Sequence, residues 1–532
     1  MKKYIYCILM SVLLTSCNKF LEEYSTDLRY CETAQDLEYL MIGEAFLNTP
    51  LSLSMYDQAT MSNTYLVGLG NTYNYPWLHV MDDDSEVFVW DYVSTDQATP
   101  LYRFGGLHNW SNAPFMDVLS MKWDDSQWEK IYKRIGALNS IIFQAHQLFE
   151  KDKENLVMLQ HICGEAYFLR AYYYFYLNNI YGMPYSIETA SSDFGVPLKT
   201  SEVIEVKYFS RASNEEVYNQ IISDLEQAAT YLEGYTPDTK LRVGIAAVKA
   251  LQSRVYLYTE QYEEAVDAAE EFDEYTYALI DLNTIAPNTN VTFRSSNETI
   301  FTVGANEIPA VFMNDSLSAW SGNDNRVSAF KASEDLMNKY QLGDLRLNTF
   351  FYKSTKNKAP LPSKYKTWTT YNDPEAVSAV FAIRYPEVLL NRAEALAMLG
   401  RTEDAREVIG QLRNKRFASA LMSDVPATEE DLVNFIRDER RRELCFEGHR
   451  WFDLRRYFVN SKYPLDNNFV IHHPSYTYDG NSHMNFLTGY YELESYEKDN
   501  AGWIIPVPDN VIEFNRGEIL NLERKTRNLI NY

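Results

Sequence analysis

The sequence predicts a mostly α-helical chain: a single large domain with a scaffold of about four helix–turn–helix pairs, broken by long loop-rich insertions that carry a few short strands. Three observations predict it. Apolar residues recur at three- and four-residue spacing in separated blocks, at about 126–272 and 386–456. Some blocks break at a tight turn and resume with small residues on the facing stripe. Between them, at about 50–120 and 280–380, periodicity fades into Asn, Asp, Ser, Thr, Gly, Pro, Trp and Tyr.

The chain opens with Lys2 and Lys3, an apolar run from Tyr4 to Leu14 interrupted only by Ser11, and Leu14-Thr15-Ser16-Cys17. A basic start, a short apolar run and a small-residue exit predict a secretory signal over 1–16, because the run is too short to span a bilayer. The mature domain is then 17–532. Leu-Thr-Ser-Cys resembles the lipobox of bacterial lipoproteins, which implies that Cys17 is the acylated mature N-terminus. Several acyl chains on one residue exceed the two signals that stable anchoring needs.

The first helical block, Ser126 to Phe149, places Trp128, Ile131, Ile135, Leu138 and Ile142 on one stripe. A second runs from Asn155 to Tyr181 and stops at Gly182-Met183-Pro184. Asn214 to Leu232 is a third, with Val217, Ile221, Leu225 and Ala228 aligned. The next two look alike. Ala246 to Phe272 and Pro386 to Phe417 each read as two helices with small residues where they cross, the second turning at Gly400. They resemble tetratricopeptide helix pairs, although no constant period of about 34 residues links the blocks.

Strand-like runs, Glu86 to Trp90 and Thr299 to Val303, are embedded in the insertions. Connections this long in a compact protein are usually functional, so the ligand is expected there. Further on, Thr428 and Asp431 predict a helix start. Arg437 to Glu443 mixes both charge signs at spacings where Glu439 can meet Arg442. Gly448 allows a sharp change of direction before Trp451, Phe452 and Leu454 pack. We read Arg437–Arg456 as an internal ion-pair and packing network rather than a binding site.

A net charge of −25 disfavours nucleic acid and anionic lipid headgroups as partners and suits neutral ligands such as sugars. Five cysteines make no disulfide scaffold in a chain this long; Cys163 and Cys445 read as buried apolar residues. The chain holds no zinc pair, nucleophile elbow, phosphate loop or Cys-x-x-Cys. Asp82-Asp83-Asp84 lacks the spaced oxygens of a calcium loop and reads as a solvated turn. His472 and His473 point opposite ways on an extended chain and read as surface or packing residues. No catalytic residue, metal site or cofactor is expected.

A carbohydrate reader needs aromatic platforms beside amide, carboxylate and guanidinium groups. Trp77, Trp110, Trp320 and Trp368 lie in the insertions with such neighbours, and Tyr73 and Asn109 are weaker candidates. For each tryptophan the competing reading is burial within the insertion. Trp320 is the first choice, because small polar residues surround it. Trp128, Trp451 and Trp503 sit in periodic or motif context and read as core.

Four dispersed segments carry a family resemblance: Glu165 to Phe175 with Tyr181-Gly-Met-Pro184, Asn391 to Gly400, Arg437 to Arg456, and Gly502-Trp-Ile-Ile-Pro-Val-Pro508. Together with the lipobox they resemble, in order, the SusD/RagB family of nutrient-binding outer-membrane lipoproteins. The resemblance implies a lipid-anchored protein on the outer face of the outer membrane that captures a glycan and passes it to a SusC-like TonB-dependent transporter barrel. It leaves open a peptide or glycopeptide ligand with the same transporter. An exported glycan hydrolase is the reading from another class, and it requires two carboxylates facing each other across a cleft.

Overall fold

The computed structural model describes residues 31–47, 73–88, 100–117, 120–123, 125–304, 306–312, 329–353, 359–365, 375–418, 424–482 and 484–532. Eleven helices are used below: α1 Ala34–Leu40, α2 Pro100–His108, α3 Gln127–Leu148, α4 Leu156–Tyr181, α5 Asn214–Tyr231, α6 Ile245–Tyr258, α7 Tyr262–Glu270, α8 Tyr385–Met398, α9 Thr402–Arg416, α10 Glu429–Leu444 and α11 Arg450–Phe458. The strands are β1 Ser85–Phe88, β2 Thr299–Thr302, β3 Ala329–Ala332, β4 Phe351–Lys353, β5 Pro360–Pro362, β6 Ala382–Arg384, β7 Ile471–Asp479, β8 Met484–Leu493 and β9 Ile530–Asn531. Among the described residues no helix is long and apolar enough to cross a membrane.

The helices stack in chain order. Helix α3 packs on α4, α4 on α5, α5 on α6 and α6 on α7, while α8 packs on α6, α7, α9 and α10. The reason is the stripe of each helix: Ile131, Ile135 and Leu138 of α3, and Val217, Ile221 and Leu225 of α5, are all fully buried. Each such side chain contributes about 1.5–3 kcal/mol of burial. Small residues let neighbours approach, Ala247 and Ala250 in α6 and Ala393 and Ala397 in α8. Two helix starts are fixed by reciprocal capping boxes, Thr33 with Asp36 and Ser213 with Glu216.

The two like pairs turn the same way with different residues. Gly400 adopts φ 74° between α8 and α9, and Glu260 adopts φ 59° between α6 and α7. Glycine occupies the left-handed region at no steric penalty, whereas Glu260 is held there by the packing on either side.

The sheets are small and antiparallel. β1 pairs with β3 (Ser85 opposite Ala332, Phe88 opposite Ala329), β2 with β6, and β4 with β5, while β7, β8 and β9 form a three-stranded sheet. Of the strand-like runs read from the sequence, Thr299–Thr302 is β2, and the described part of Glu86 to Trp90 lies in β1. The long β7–β8 hairpin is not among the elements read from the sequence.

The Arg437–Arg456 segment is an interior ion network. Glu439 is met by Arg346 at 2.6 Å and by Arg413 and Arg442 at 2.7 Å. Glu443 is met by Arg416 at 2.9 Å and Arg346 at 3.2 Å. Glu447 receives Lys364 and Arg384, each at 2.5 Å, and Asp453 receives Arg440 at 2.8 Å and Arg456 at 2.9 Å. Gly448 turns the chain at φ 74°, and Trp451 stacks on Trp503 with centroids 4.7 Å apart. Burial alone would raise the Glu443 carboxyl, yet Arg416, Arg346 and Arg384 hold it down at about 2. One detail differs from the expectation. Thr428 stands at the start of α10, but its hydroxyl donates to the Asp431 carboxylate at 2.5 Å instead of accepting from a backbone amide.

Cys163 and Cys445 are buried free thiols, and burial pushes them up to about 12 and about 11.

Candidate functional site

The roots of the two insertions come together. β1 and β3 pair so that Phe88 and Ala329 lie opposite each other. The segments 89–99 and 313–328 therefore leave and rejoin the described chain side by side. The ends of the 48–72 segment also meet: a Cβ added at Gly304 would lie 3.4 Å from Asn74 Nδ2 and 3.7 Å from Leu47 Cβ. Gly304 adopts φ 90°, the backbone conformation that favours glycine, at the place where these segments touch. Phe312 packs edge-on against Phe446 at 5.0 Å, and the Tyr365 hydroxyl donates to Phe446 O at 2.5 Å. The entries to 313–328 and 366–374 thus share one aromatic support.

These roots are clamped from below by the charged segment. Arg441 donates to Asp84 at 2.7 Å and to Asp335 at 2.6 Å, and Arg450 donates to Asp83 at 2.7 Å. Ser333 closes the same end, its amide on Asp84 O at 2.9 Å and its hydroxyl on Asp83 O at 2.6 Å. Lys364 donates to Glu447 at 2.5 Å and to Glu443 O at 3.1 Å. On the other side Tyr173 donates to Ala45 O at 2.7 Å, and Gln127 to Tyr73 O at 3.1 Å.

Asp82-Asp83-Asp84 is therefore not the solvated turn expected from its composition: Asp82 and Asp84 are buried and all three are tied into this clamp. Their carboxylate oxygens lie within 4.8 Å of one another. Two guanidinium groups already supply the positive charge that a cation would bring. Burial and its two acidic neighbours push the Asp82 carboxyl well up, whereas Arg441 and Arg450 outweigh burial at Asp83 and hold it low.

Two platform candidates are corrected. Trp77 and Trp110 are each 1% exposed, so neither offers a face to a sugar. Trp77 packs edge-on against Tyr75 at 5.5 Å and Phe115 at 6.4 Å. Trp110 donates its indole N–H to Met81 O at 2.8 Å and stacks on His473 at 4.2 Å, which in turn stacks on His108 at 3.7 Å. Both rings are consumed by packing, and their apolar neighbours (Leu78 and Val80, Leu107) were the signal for it. Tyr73 and Asn109 are half-buried, Tyr73 at the root of the 48–72 segment and Asn109 at the end of α2. Trp320, Trp368 and Cys17 lie outside the described residues. Trp128, Trp451 and Trp503 are in the core.

The histidine pair alternates as a strand requires: His473 is buried in the stack, and His472 is exposed and 2.8 Å from Glu492. Two carboxyls outside the ion network are pushed up by burial. Asp125 rises to about 6 despite the Tyr181 hydroxyl, and Glu307 to about 7 despite donation from Ser378 and the Ala379 amide. Both are buried, and among the described residues neither faces a partner carboxylate across a cleft.

Comparison with known proteins matches two family models: the SusD family over residues 311–521, and a SusD-like family described as starch-binding associating with outer membrane over 108–257. The SusD-like proteins P2 and P38 of Formosa agariphila are 26% and 27% identical, over 62% of this chain and 70% and 71% of their own lengths. Among solved structures, a putative sugar binding protein from Bacteroides vulgatus superposes with a TM-score of 0.65 at 21% identity, covering 93% of this chain and 99% of that one. A SusD superfamily protein from Bacteroides thetaiotaomicron gives 0.63 at 20% identity, covering 92% and 99%. The solved structures share the fold of this chain, and the two family-model matches, over 108–257 and 311–521, make it a SusD-like member of the SusD/RagB family.

Proposed function

We propose that this chain is a lipid-anchored nutrient binder of the outer membrane, held by Cys17, that captures a glycan at its insertions and passes it to a SusC-like TonB-dependent transporter. The observation that carries the reading is the convergence of the insertion roots on one clamped platform in a chain whose family model is described as starch-binding and outer-membrane-associating. A rigid base under variable loops is how a common scaffold carries different specificities. The family is typically one of binding proteins without catalysis, and the carboxylates of the Arg437–Arg456 network are ion-paired rather than free for acid–base work.

Trp320 is the proposed platform, with Trp368 beside it in candidacy. The test is affinity electrophoresis of residues 18–532 in gels containing starch, other plant and host polysaccharides, or none. Retardation in at least one glycan, lost in Trp320→Ala with the fold intact, is the expected result. Retardation that survives in Trp320→Ala removes that platform. Binding to peptides or glycopeptides with no retardation in any polysaccharide overturns the glycan reading itself.

A further inference from the structure

A second opening lies away from the insertion roots, and nothing in the family description assigns it. It is a cleft of about 490 Å³ walled by the turn between α5 and α6 (235–240), by 276–277, and by the approach to β2 (294–300). That volume is within the usual range for a small-ligand site. It stands at the start of β2, whereas Gly304 and the converging roots follow the other end of that strand.

Its walls are fixed before any ligand arrives. The Ile245 amide donates to Tyr235 O at 3.0 Å and the Thr302 amide to Lys240 O at 2.9 Å, which pins both ends of the turn. Gly244 leaves no room to relax: a Cβ there would sit 2.4 Å from Pro237 Cδ and 2.9 Å from Tyr235 O. The Tyr235 ring stacks on His161 with centroids 3.7 Å apart, so its orientation is set. Tyr277 is half-buried against Phe272, with centroids 5.8 Å apart.

The polar lining has the composition that sugar hydroxyls select. Asp238, Arg294 and Asn297 line the cleft, and none of their side chains makes an ion pair or hydrogen bond among the described residues. Lys240 also lines it and donates to Ser296 O. Planar carboxylate, guanidinium and amide groups can each grip adjacent hydroxyls, while tyrosine rings take the C–H face of a pyranose. Charges of both signs in one cleft, on a chain of net charge −25, favour a neutral ligand over a strongly anionic one.

We propose that this cleft is a second carbohydrate site, taking a short neutral oligosaccharide and keeping a polymer close to the insertions. The inference rests on the glycan reading above. The pinned walls require little ordering on binding, and the open, polar lining suits weak and reversible capture.

The test is calorimetric titration of residues 18–532 with maltohexaose, cellohexaose, xylohexaose and mannohexaose, paired with hydrogen exchange on the bound and free protein. The expected result is protection of 235–240 and 294–300 by at least one of these. Tyr277→Ala should weaken that interaction about tenfold, the share of one aromatic contact. Tyr277 also packs on Phe272, so Arg294→Ala and Asn297→Ala, which break no side-chain hydrogen bond or ion pair among the described residues, are the second test and should weaken it in the same direction. A wild-type chain that binds an oligosaccharide without protecting the cleft, and with affinity unchanged in all three variants, overturns the second site and leaves the main reading standing. A wild-type chain that binds none of them, nor any polysaccharide in the gels above, removes both.

Discussion

Replacing Glu443 by glutamine tests whether the most recognisable stretch of the chain is a foundation rather than a ligand site. The Glu443 carboxylate takes Arg416 through both oxygens at 2.9 Å, Arg346 at 3.2 Å, and Arg384 at 3.6 Å. Glutamine keeps the shape, removes the charge and turns an amino group toward a guanidinium. Two routes give the penalty. Breaking one partner of a buried ion pair costs about 3–5 kcal/mol, because the remaining charges are left uncompensated. Independently, a carboxyl lowered from 4.5 to about 2 reports a preference for the ionised form of about 3 kcal/mol. Urea unfolding of wild type and Glu443→Gln, followed by tryptophan fluorescence, should show a lower midpoint corresponding to about 3 kcal/mol. Glycan affinity of the folded variant should be unchanged. A loss below about 1 kcal/mol would refute the argument, since buried charges with that little coupling could not be holding the segment together.

Four further outcomes are expected. Trp110→Ala removes an indole packed between Met81 and His473 and should destabilise by about 3–5 kcal/mol, while polysaccharide retention per folded molecule stays the same; a retention loss at full stability would restore the platform reading. Glu307, raised from 4.5 to about 7, and Asp125, raised from 3.8 to about 6, bind protons in the folded state that the unfolded chain has released. Their contribution is full below the unfolded values and is lost as pH rises through the folded ones, so the urea midpoint should fall between pH 5 and pH 8, and the fall should shrink in Glu307→Gln. The paired acids act oppositely. Glu394 and Glu443, held at about 2, contribute stability above 4.5 that disappears as pH drops toward 2. Finally, Cys17→Ala should leave the chain unacylated and move it from the membrane to the soluble fraction on cell fractionation; an unchanged membrane fraction would remove the anchor.

Much of the scaffold was legible because helices write their packing into sequence at a short period. Ile131, Ile135 and Leu138 predicted a buried stripe, and they form one; Gly182 and Pro184 predicted the stop after Tyr181, and the helix ends there. The β7–β8 hairpin was harder to read: Asp479-Gly480 is a turn signal, but the register shift between Ser475 and Tyr476 interrupts the alternation of the strand before it. The platform candidates failed for a different reason. A tryptophan flanked by polar residues looks exposed, but the face of Trp110 is covered by His473, more than 300 residues further along the chain. The same distance hides Asp83: its burial depends on Arg450, and three consecutive aspartates cannot announce two arginines at the far end of the chain. The cleft at 235–240 assembles from three separated segments and leaves no motif at all.

The clamp explains how a segment can be the strongest family signature without touching ligand. Arg441 and Arg450 hold the base of β1 and β3; Glu443 and Glu447 hold Lys364; Phe446, between them, supports Phe312 and Tyr365. Within ten residues the chain thus grips the roots of three insertion segments. Loops built on such a base can change sequence without moving their ends, since the energy that fixes the ends is stored in buried ion pairs and not in the loops. A buried pair of this kind adds little net stability compared with an apolar isostere, but a wrongly placed root would strand a charge in the interior. We read the retention of so many buried charges at this place as specification of the platform's geometry: an apolar core would tolerate a root displaced by one residue, and this network does not.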